Sequence, residues 1–261
     1  MKIHRIYAVV LRFLYLFRRS YDRMSDAFYW PTIDLLLWGL TSIYFRSYMP
    51  DASKIMLVIM SGILFWIIVW RGQYEITVNL LEDLWNENLI NMFVSPLKFG
   101  EWIWAFLVIG VIKALMSFSF AMLMVFVLYK VKILFFGYYF LPIIALLLMT
   151  GWAVGFFVAG LILRYGTKVQ TFAWTVVALI SPFSAIYYPI TILPNWAQTV
   201  AKFIPTSYVF EGAREIIIKG KISPDKLIIS FILNCAYLIL SLWFLRNSFN
   251  KVLNKGLVKV Y

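Results

Sequence analysis

The stretch Tyr187–Glu215 reads YYPITILPNWAQTVAKFIPTSYVFEGARE and carries three prolines in a chain that is apolar enough to live in lipid. Each proline removes a backbone donor and disrupts the helix around it. A bilayer excludes irregular backbone that faces lipid, because no water is there to satisfy the freed amide and carbonyl groups. We therefore expect this stretch to lie against protein or water, as short helices that dip into the membrane from outside and return.

Composition sets the class of protein. Hydrophobic residues make up 63% of the 261 residues and charged residues 14%, which is typical of a polytopic, all-α membrane protein. Too little polar sequence remains for a soluble domain, so residues 1–261 are expected to form a single membrane domain. The single Cys235 and the single His4 exclude an intrachain disulfide and a histidine-rich metal site within one chain.

Six apolar windows meet the requirement of about 20 residues for a membrane helix. The third and fourth are longer than one crossing needs, so they must tilt, kink at Pro142 or project into water. The windows are Ala27–Phe45, Lys54–Trp70, Trp102–Tyr129, Ile133–Leu163, Val169–Tyr188 and Leu227–Leu245.

Basic residues at the two ends predict the orientation. They cluster before the first window and after the last, and the positive-inside rule then places both termini in the cytoplasm of a multi-pass cell-membrane protein. An even number of spans agrees with this. The basic residues are Lys2, Arg5, Arg12, Arg18, Arg19 and Arg23, and Arg246, Lys251, Lys255 and Lys259.

Residues 1–24 have the pattern of an amphipathic helix in the membrane interface. From Ile3 to Phe17 the apolar residues recur at three- and four-residue steps, while Arg5, Arg12 and Arg19 step by seven residues along another face. Arg18 is a further candidate residue of this interfacial helix. Two interpretations stay open: a basic anchor that fixes topology, or a sliding helix at the lateral entrance of a pathway.

Residues 75–98 form the predicted cytoplasmic loop between the second and third spans. As a helix this segment would have one apolar face and one acidic face, and Ser95-Pro96 would end it. The segment is either a solvated helix resting on its neighbours or a helix that docks a soluble subunit. The candidate docking residues are Glu82, Asp83, Leu84, Trp85, Glu87, Leu89, Met92 and Phe93.

Residues 189–220, here named the proline-rich segment, are predicted to hold two external re-entrant helices. The first runs from Asn195 to Phe203, and the second from Tyr208 to Lys219 with its end at Gly220. The segment is either packing without a role in transport or a lid over the external mouth. The candidate gate residues are Pro189, Pro194, Trp196, Pro205, Tyr208 and Arg214.

Two ionisable residues fall inside the apolar windows, where such residues are functional candidates. Asp34 lies about two turns into the first window and Lys113 near the middle of the third. Either they face the interior and pair with each other, or each reaches an interface separately.

Three pieces of sequence resemble the membrane subunit of type-2 ABC exporters, which serve drug, lipid and polysaccharide export. The most specific is Pro-x4-Pro-x-Trp followed by Pro-x2-Tyr and Ala-Arg before the last window. The resemblance implies six spans, an interfacial N-terminal helix, a coupling helix in the first cytoplasmic loop and external re-entrant helices. The pieces are residues 5–39, 82–102 and 187–214.

The resemblance also implies partners. Two cytosolic ABC ATPase subunits would lie below two permeases, which are two copies of this chain or this chain and a homologue, in contact with membrane lipid and without nucleic acid. The chain lacks G-x-x-x-x-G-K-[ST], so ATP and Mg are expected in the ATPase. No catalytic or metal residues are predicted. The alternative functions are an ion-coupled carrier and a polytopic lipid-modifying enzyme.

Overall fold

The computed structural model describes residues 1–46 and 52–255, so Lys259 lies outside the described residues. Within those ranges the chain is helical and contains no strand. The helices are α1 Ile3–Arg19, α2 Tyr21–Arg46, α3 Ala52–Trp85, α4 Leu89–Val94, α5 Phe99–Tyr129, α6 Phe140–Tyr165, α7 Phe172–Ile180, α8 Asn195–Ala201, α9 Pro205–Lys219 and α10 Pro224–Lys255.

Four stretches of the described chain are long and apolar enough to cross a membrane: Lys54–Trp85, Phe99–Tyr129, Ile133–Val169 and Pro224–Asn254. In the most apolar part of the first and third, 72% of the residues are buried, against 17% in the last. The stretches that contain α3 and α6 are thus central, whereas α10 turns most of its surface outward.

Helix α3 is longer than the sequence analysis predicts. The predicted span ends at Trp70, but the helix continues for 15 further residues to Trp85. The polar run that marks the predicted loop is mostly buried, with Gln73, Thr77 and Asn79 at most 2% exposed. Because each of these side chains makes a hydrogen bond inside the protein, their polarity does not end the helix.

The fifth predicted span, Val169–Tyr188, is wrong as a single helix. Helix α7 has nine residues and continues only into a 3₁₀ turn, Ser181–Phe183. Nine residues extend about 14 Å, which is about half the hydrocarbon thickness of a bilayer. Pro182 and the left-handed backbone of Ala185, with φ 58°, prevent the helix from continuing.

The fourth predicted span is bent, at Gly137 rather than at Pro142. Gly137 has φ 51° and ψ −128° and kinks the 3₁₀ stretch Ile133–Tyr139, which lies directly before α6. Pro142 lies in the first turn of α6, where its missing N–H leaves no hydrogen bond unmade. Glycine at this position allows the positive φ.

Close backbone contact joins the two central helices. A Cβ added to Gly151 of α6 would lie 2.6 Å from the carbonyl oxygen of Val69 in α3. Gly155, one turn further along α6, lies against the side chain of Ile76 in α3. Small residues at such positions let membrane helices approach and gain van der Waals contact.

Candidate functional site

A group of buried charges lies where α2, α3 and α5 meet. Lys113 Nζ is 2.5 Å from Glu75 Oε2, and both side chains are 3% exposed. Arg71 Nη1 lies 3.7 Å from Glu75 Oε1 and 3.0 Å from Asp26 Oδ2. We name Asp26, Arg71, Glu75 and Lys113 the buried ion-pair cluster. The hypothesis that Lys113 pairs with Asp34 is therefore wrong for this conformation, since the nearer carboxylate on α3 takes that place.

A second set of ion pairs binds α1 and the start of α2 to the end of α3. Arg12 forms a salt bridge with Asp83, and Arg23 contacts the carboxylate of Glu82. Asp83 is 1% exposed and also accepts a hydrogen bond from Asn88 Nδ2 at 3.2 Å. These carboxylates therefore face α1 and α2 rather than open solvent.

The N-terminal helix is held at its first turn as well. Glu101 of α5 accepts a hydrogen bond from the backbone N–H of Lys2 at 2.7 Å and lies 3.5 Å from Arg5. Val9, Val10 and Phe13 pack into the apolar core. In contrast, Arg18 and Arg19 are exposed. Helix α1 is thus fixed along its length to α3 and α5.

The remaining candidate docking residues separate into buried and exposed ones. Leu84 and Leu89 are at most 1% exposed, and Met92 is half-buried. Trp85 is 50% exposed and donates from Nε1 to Gln170 Oε1 at 3.2 Å, while Glu87 is exposed with φ 53°. Val94, which the sequence analysis did not select, is 80% exposed. The side chain of Phe93 lies outside the described residues.

The proline-rich segment has the two helices expected from sequence, α8 and α9, and α9 ends at Gly220 with φ 76°. Pro194 is exposed and precedes α8, whereas Pro205 is buried and begins α9. Pro189 is half-buried and Trp196 is 64% exposed.

Side chains satisfy several backbone groups in and beside this irregular segment. Glu211 accepts from the N–H of Ile190 at 2.9 Å, and Arg214 donates to the carbonyl of Ala185 at 2.8 Å and to Glu211 at 2.8 Å. Tyr208 donates from its hydroxyl to the Lys202 carbonyl at 3.0 Å. The segment is irregular yet internally hydrogen-bonded.

A cavity of about 440 Å³ lies between α2, α3 and α7. Its charged lining residues are Asp26, Asp34 and Arg71, so the buried ion-pair cluster forms one end of it. Trp38 stacks on the cavity residue Tyr187 with ring centroids 4.5 Å apart. The aromatic lining residues are Trp30, Trp66, Trp70, Tyr74, Trp174 and Tyr187.

The family model of the ABC-2 type transporter matches residues 11–218, which is most of the chain. The chain belongs to the ABC-2 type transporter family. The match begins within α1 and ends within α9, and so includes the buried ion-pair cluster, the cavity and most of the proline-rich segment. The comparison with curated proteins found no match.

An ABC-2 type transporter membrane domain is a permease component, and its long apolar helices belong in a membrane. Residues 1–46 and 52–255 contain no group of three His, Cys, Asp or Glu side chains placed to hold a metal ion. Sequence reasoning missed Arg71, which joins the cavity to Glu75. The signal available was an Arg four residues before a Glu at the end of an apolar run, a spacing that places both on one helix face.

Proposed function

We propose that this chain is the permease subunit of an ATP-driven exporter, which moves an amphipathic or hydrophobic substrate out of the cytoplasm or inner leaflet. The family match over residues 11–218 carries the proposal. Two permease copies, or this chain and a homologue, would meet around a shared pathway. Two cytosolic ABC ATPase subunits would bind ATP and Mg and supply the energy.

In this proposal the chain has six crossings with both termini in the cytoplasm. Helix α2 supplies the first, since its 26 residues extend about 39 Å. The fifth consists of the short α7 together with the proline-rich segment, which would dip in from outside and return. Helix α1 would lie in the cytoplasmic interface, where its exposed Arg18 and Arg19 meet lipid headgroups.

The ATPase would dock on the exposed surface at the end of α3 and on α4. Trp85, Glu87 and Val94 offer exposed aromatic, acidic and apolar groups there. Helix α3 supports a mechanical role for this end, because it carries Glu82 and Asp83 at its end and Arg71 of the buried ion-pair cluster at the cavity. Motion imposed on α3 would thus reach the cavity wall through one continuous helix.

Purification of the tagged chain from its own cells tests this function. We expect an ATPase with a Walker motif to co-purify in a one-to-one ratio, with ATP hydrolysis in the eluate. Trp85→Asp should lower that ratio, and Trp196→Asp is its control, since Trp196 is also an exposed tryptophan but lies in the proline-rich segment. Recovery of an active chain without any ATPase would contradict the proposal.

A further inference from the structure

The cavity between α2, α3 and α7 has walls that favour a cation. Six aromatic side chains line it, four of them tryptophans. The face of an aromatic ring carries negative electrostatic potential and attracts ammonium groups, most strongly in tryptophan. At about 440 Å³ the cavity falls in the size range of small-molecule sites.

The charges of the lining also favour a cation. Arg71 is neutralised by Asp26 at 3.0 Å and also faces Glu75. Asp34 is exposed to the cavity, and among residues 1–46 and 52–255 no group forms a hydrogen bond or salt bridge with its side chain. The lining therefore has one carboxylate in excess, at a depth where an isolated charge costs about 2.5–3.5 kcal/mol on insertion scales.

Few polar side chains line the cavity. They include no Asn, Gln, Ser, Thr or His, and outside the Arg71 and Asp26 pair the polar groups are the Asp34 carboxylate, the hydroxyls of Tyr74 and Tyr187 and the indole N–H groups of the four tryptophans. Asp34 is thus the one charged group of the lining that lies outside the Arg71 and Asp26 pair. A bulky cation needs only one counter-ion and aromatic faces.

We propose that this cavity binds the cationic group of an amphipathic substrate, with Asp34 as its counter-ion and Trp30, Trp66, Trp70 and Trp174 around it. The inference rests on the proposed export function and names its substrate class. The apolar part of the ligand would lie along Ile63 and Ile67 of the same cavity wall.

Two probes of the same shape and opposite charge test the charge preference. The full chain in nanodiscs of zwitterionic lipid is dialysed against tetraphenylphosphonium or tetraphenylborate, and binding to empty nanodiscs is subtracted. We expect the phosphonium to bind about tenfold more tightly or better. The formal net charge of +12 would favour the borate, so a preference for the cation is not a property of the whole surface. Equal binding of the two probes would overturn the proposal.

Variants assign the preference to Asp34. Asp34→Asn should weaken phosphonium binding about tenfold without changing borate binding, and Asp34→Glu should retain it. Asp225→Asn is the control, since Asp225 is an exposed carboxylate at the start of α10 outside the cavity. Unchanged phosphonium binding in a folded Asp34→Asn protein would overturn the proposal, and if that variant does not fold, the ratio of the two probes on the native chain decides. No ATPase takes part, so failure of ATPase association and failure of this inference are distinguishable.

Discussion

Lys113 of α5 and Glu75 of α3 form an ion pair with 2.5 Å between Nζ and Oε2, at a depth where both side chains are almost completely buried. Glu75 also faces Arg71, whereas Lys113 has no second carboxylate within salt-bridge distance among the described residues. The two partners are therefore unequal. Loss of the carboxylate strands a buried ammonium, while loss of the ammonium leaves the carboxylate with Arg71.

That asymmetry predicts unequal stability losses. We expect Glu75→Gln to lower the free energy of unfolding by about 3–5 kcal/mol, the usual cost of leaving a buried charge unpaired. Lys113→Met should cost less. The measurement is denaturation of each variant in mixed micelles, with the double variant completing a cycle. Equal single losses that add up in the double variant would show that the pair does not form.

Asp34 and Lys113 are predicted to be independent. Because Asp34 faces the cavity and Lys113 faces Glu75, the losses caused by Asp34→Asn and Lys113→Met should add within about 0.5 kcal/mol. The same denaturation experiment measures this. A larger coupling energy would indicate that Asp34 and Lys113 interact directly.

The contact of α3 with α6 is sensitive to a single methyl group. Gly151→Ala should lower the free energy of unfolding by about 1–3 kcal/mol, since the new Cβ meets the Val69 carbonyl oxygen and backbone must move. Gly100→Ala is the control, because a Cβ there has no neighbour within 4 Å. It should leave stability unchanged or raise it by up to about 1 kcal/mol. The same loss in both variants would argue against close helix packing.

ATPase docking is predicted to depend on exposed residues of α3 and α4 rather than on the carboxylates Glu82 and Asp83. Trp85→Asp with Val94→Asp should reduce the co-purified ATPase at least about tenfold, because aromatic and apolar contacts at the centre of an interface contribute most of its binding free energy. Membrane insertion should be unaffected. Full recovery of the ATPase would place the docking surface elsewhere.

The Asp83→Lys variant distinguishes a role of Asp83 in folding from a role in ATPase docking. It breaks the salt bridge to Arg12 and puts a cation in a site that is 1% exposed, so we expect a loss of folded protein rather than a selective loss of ATPase. The readout is the folded fraction by size-exclusion chromatography beside the ATPase ratio of the folded part. A folded variant with normal stability that has lost its ATPase would restore Asp83 to the docking surface.

Arg214 tests whether the proline-rich segment is held by side chains. Arg214→Met removes the donor to the Ala185 carbonyl and the partner of Glu211, which should destabilise the protein by about 1–3 kcal/mol. Lys202→Met, on an exposed side chain of the same segment, serves as the control. Equal stability of the two variants would show that the hydrogen bonds of Arg214 do not stabilise the folded protein.

Local signals predicted some elements well. Proline before α8 and at the start of α9, with glycine after α9, defines those helices because each residue type acts through its own backbone. The same reasoning placed the end of the second span too early. Gln73, Glu75 and Asn79 look like loop residues in sequence, and their partners lie far along the chain, as with Lys113 and the carbonyl of Ala173.

The cavity could be predicted only in part. Its tryptophans and Asp34 stand out individually, but nothing in their spacing indicates that α2, α3 and α7 place them around one space. The choice of Glu75 over Asp34 as the partner of Lys113 depends on how α3 packs beside α5. That packing brings together two residues that are 38 positions apart in the chain, and local periodicity does not reveal contacts of this kind.

We expect this permease to move substrate only when a separate ATPase acts on it. The direct measurement is transport of tetraphenylphosphonium and of a fluorescent phospholipid in liposomes that contain the chain alone or the chain with its co-purified ATPase. We expect at least one of the two compounds to be transported when the ATPase and Mg-ATP are present. We expect neither to be transported by the chain alone. Transport by the chain alone, driven by a proton or sodium gradient, would contradict the claim.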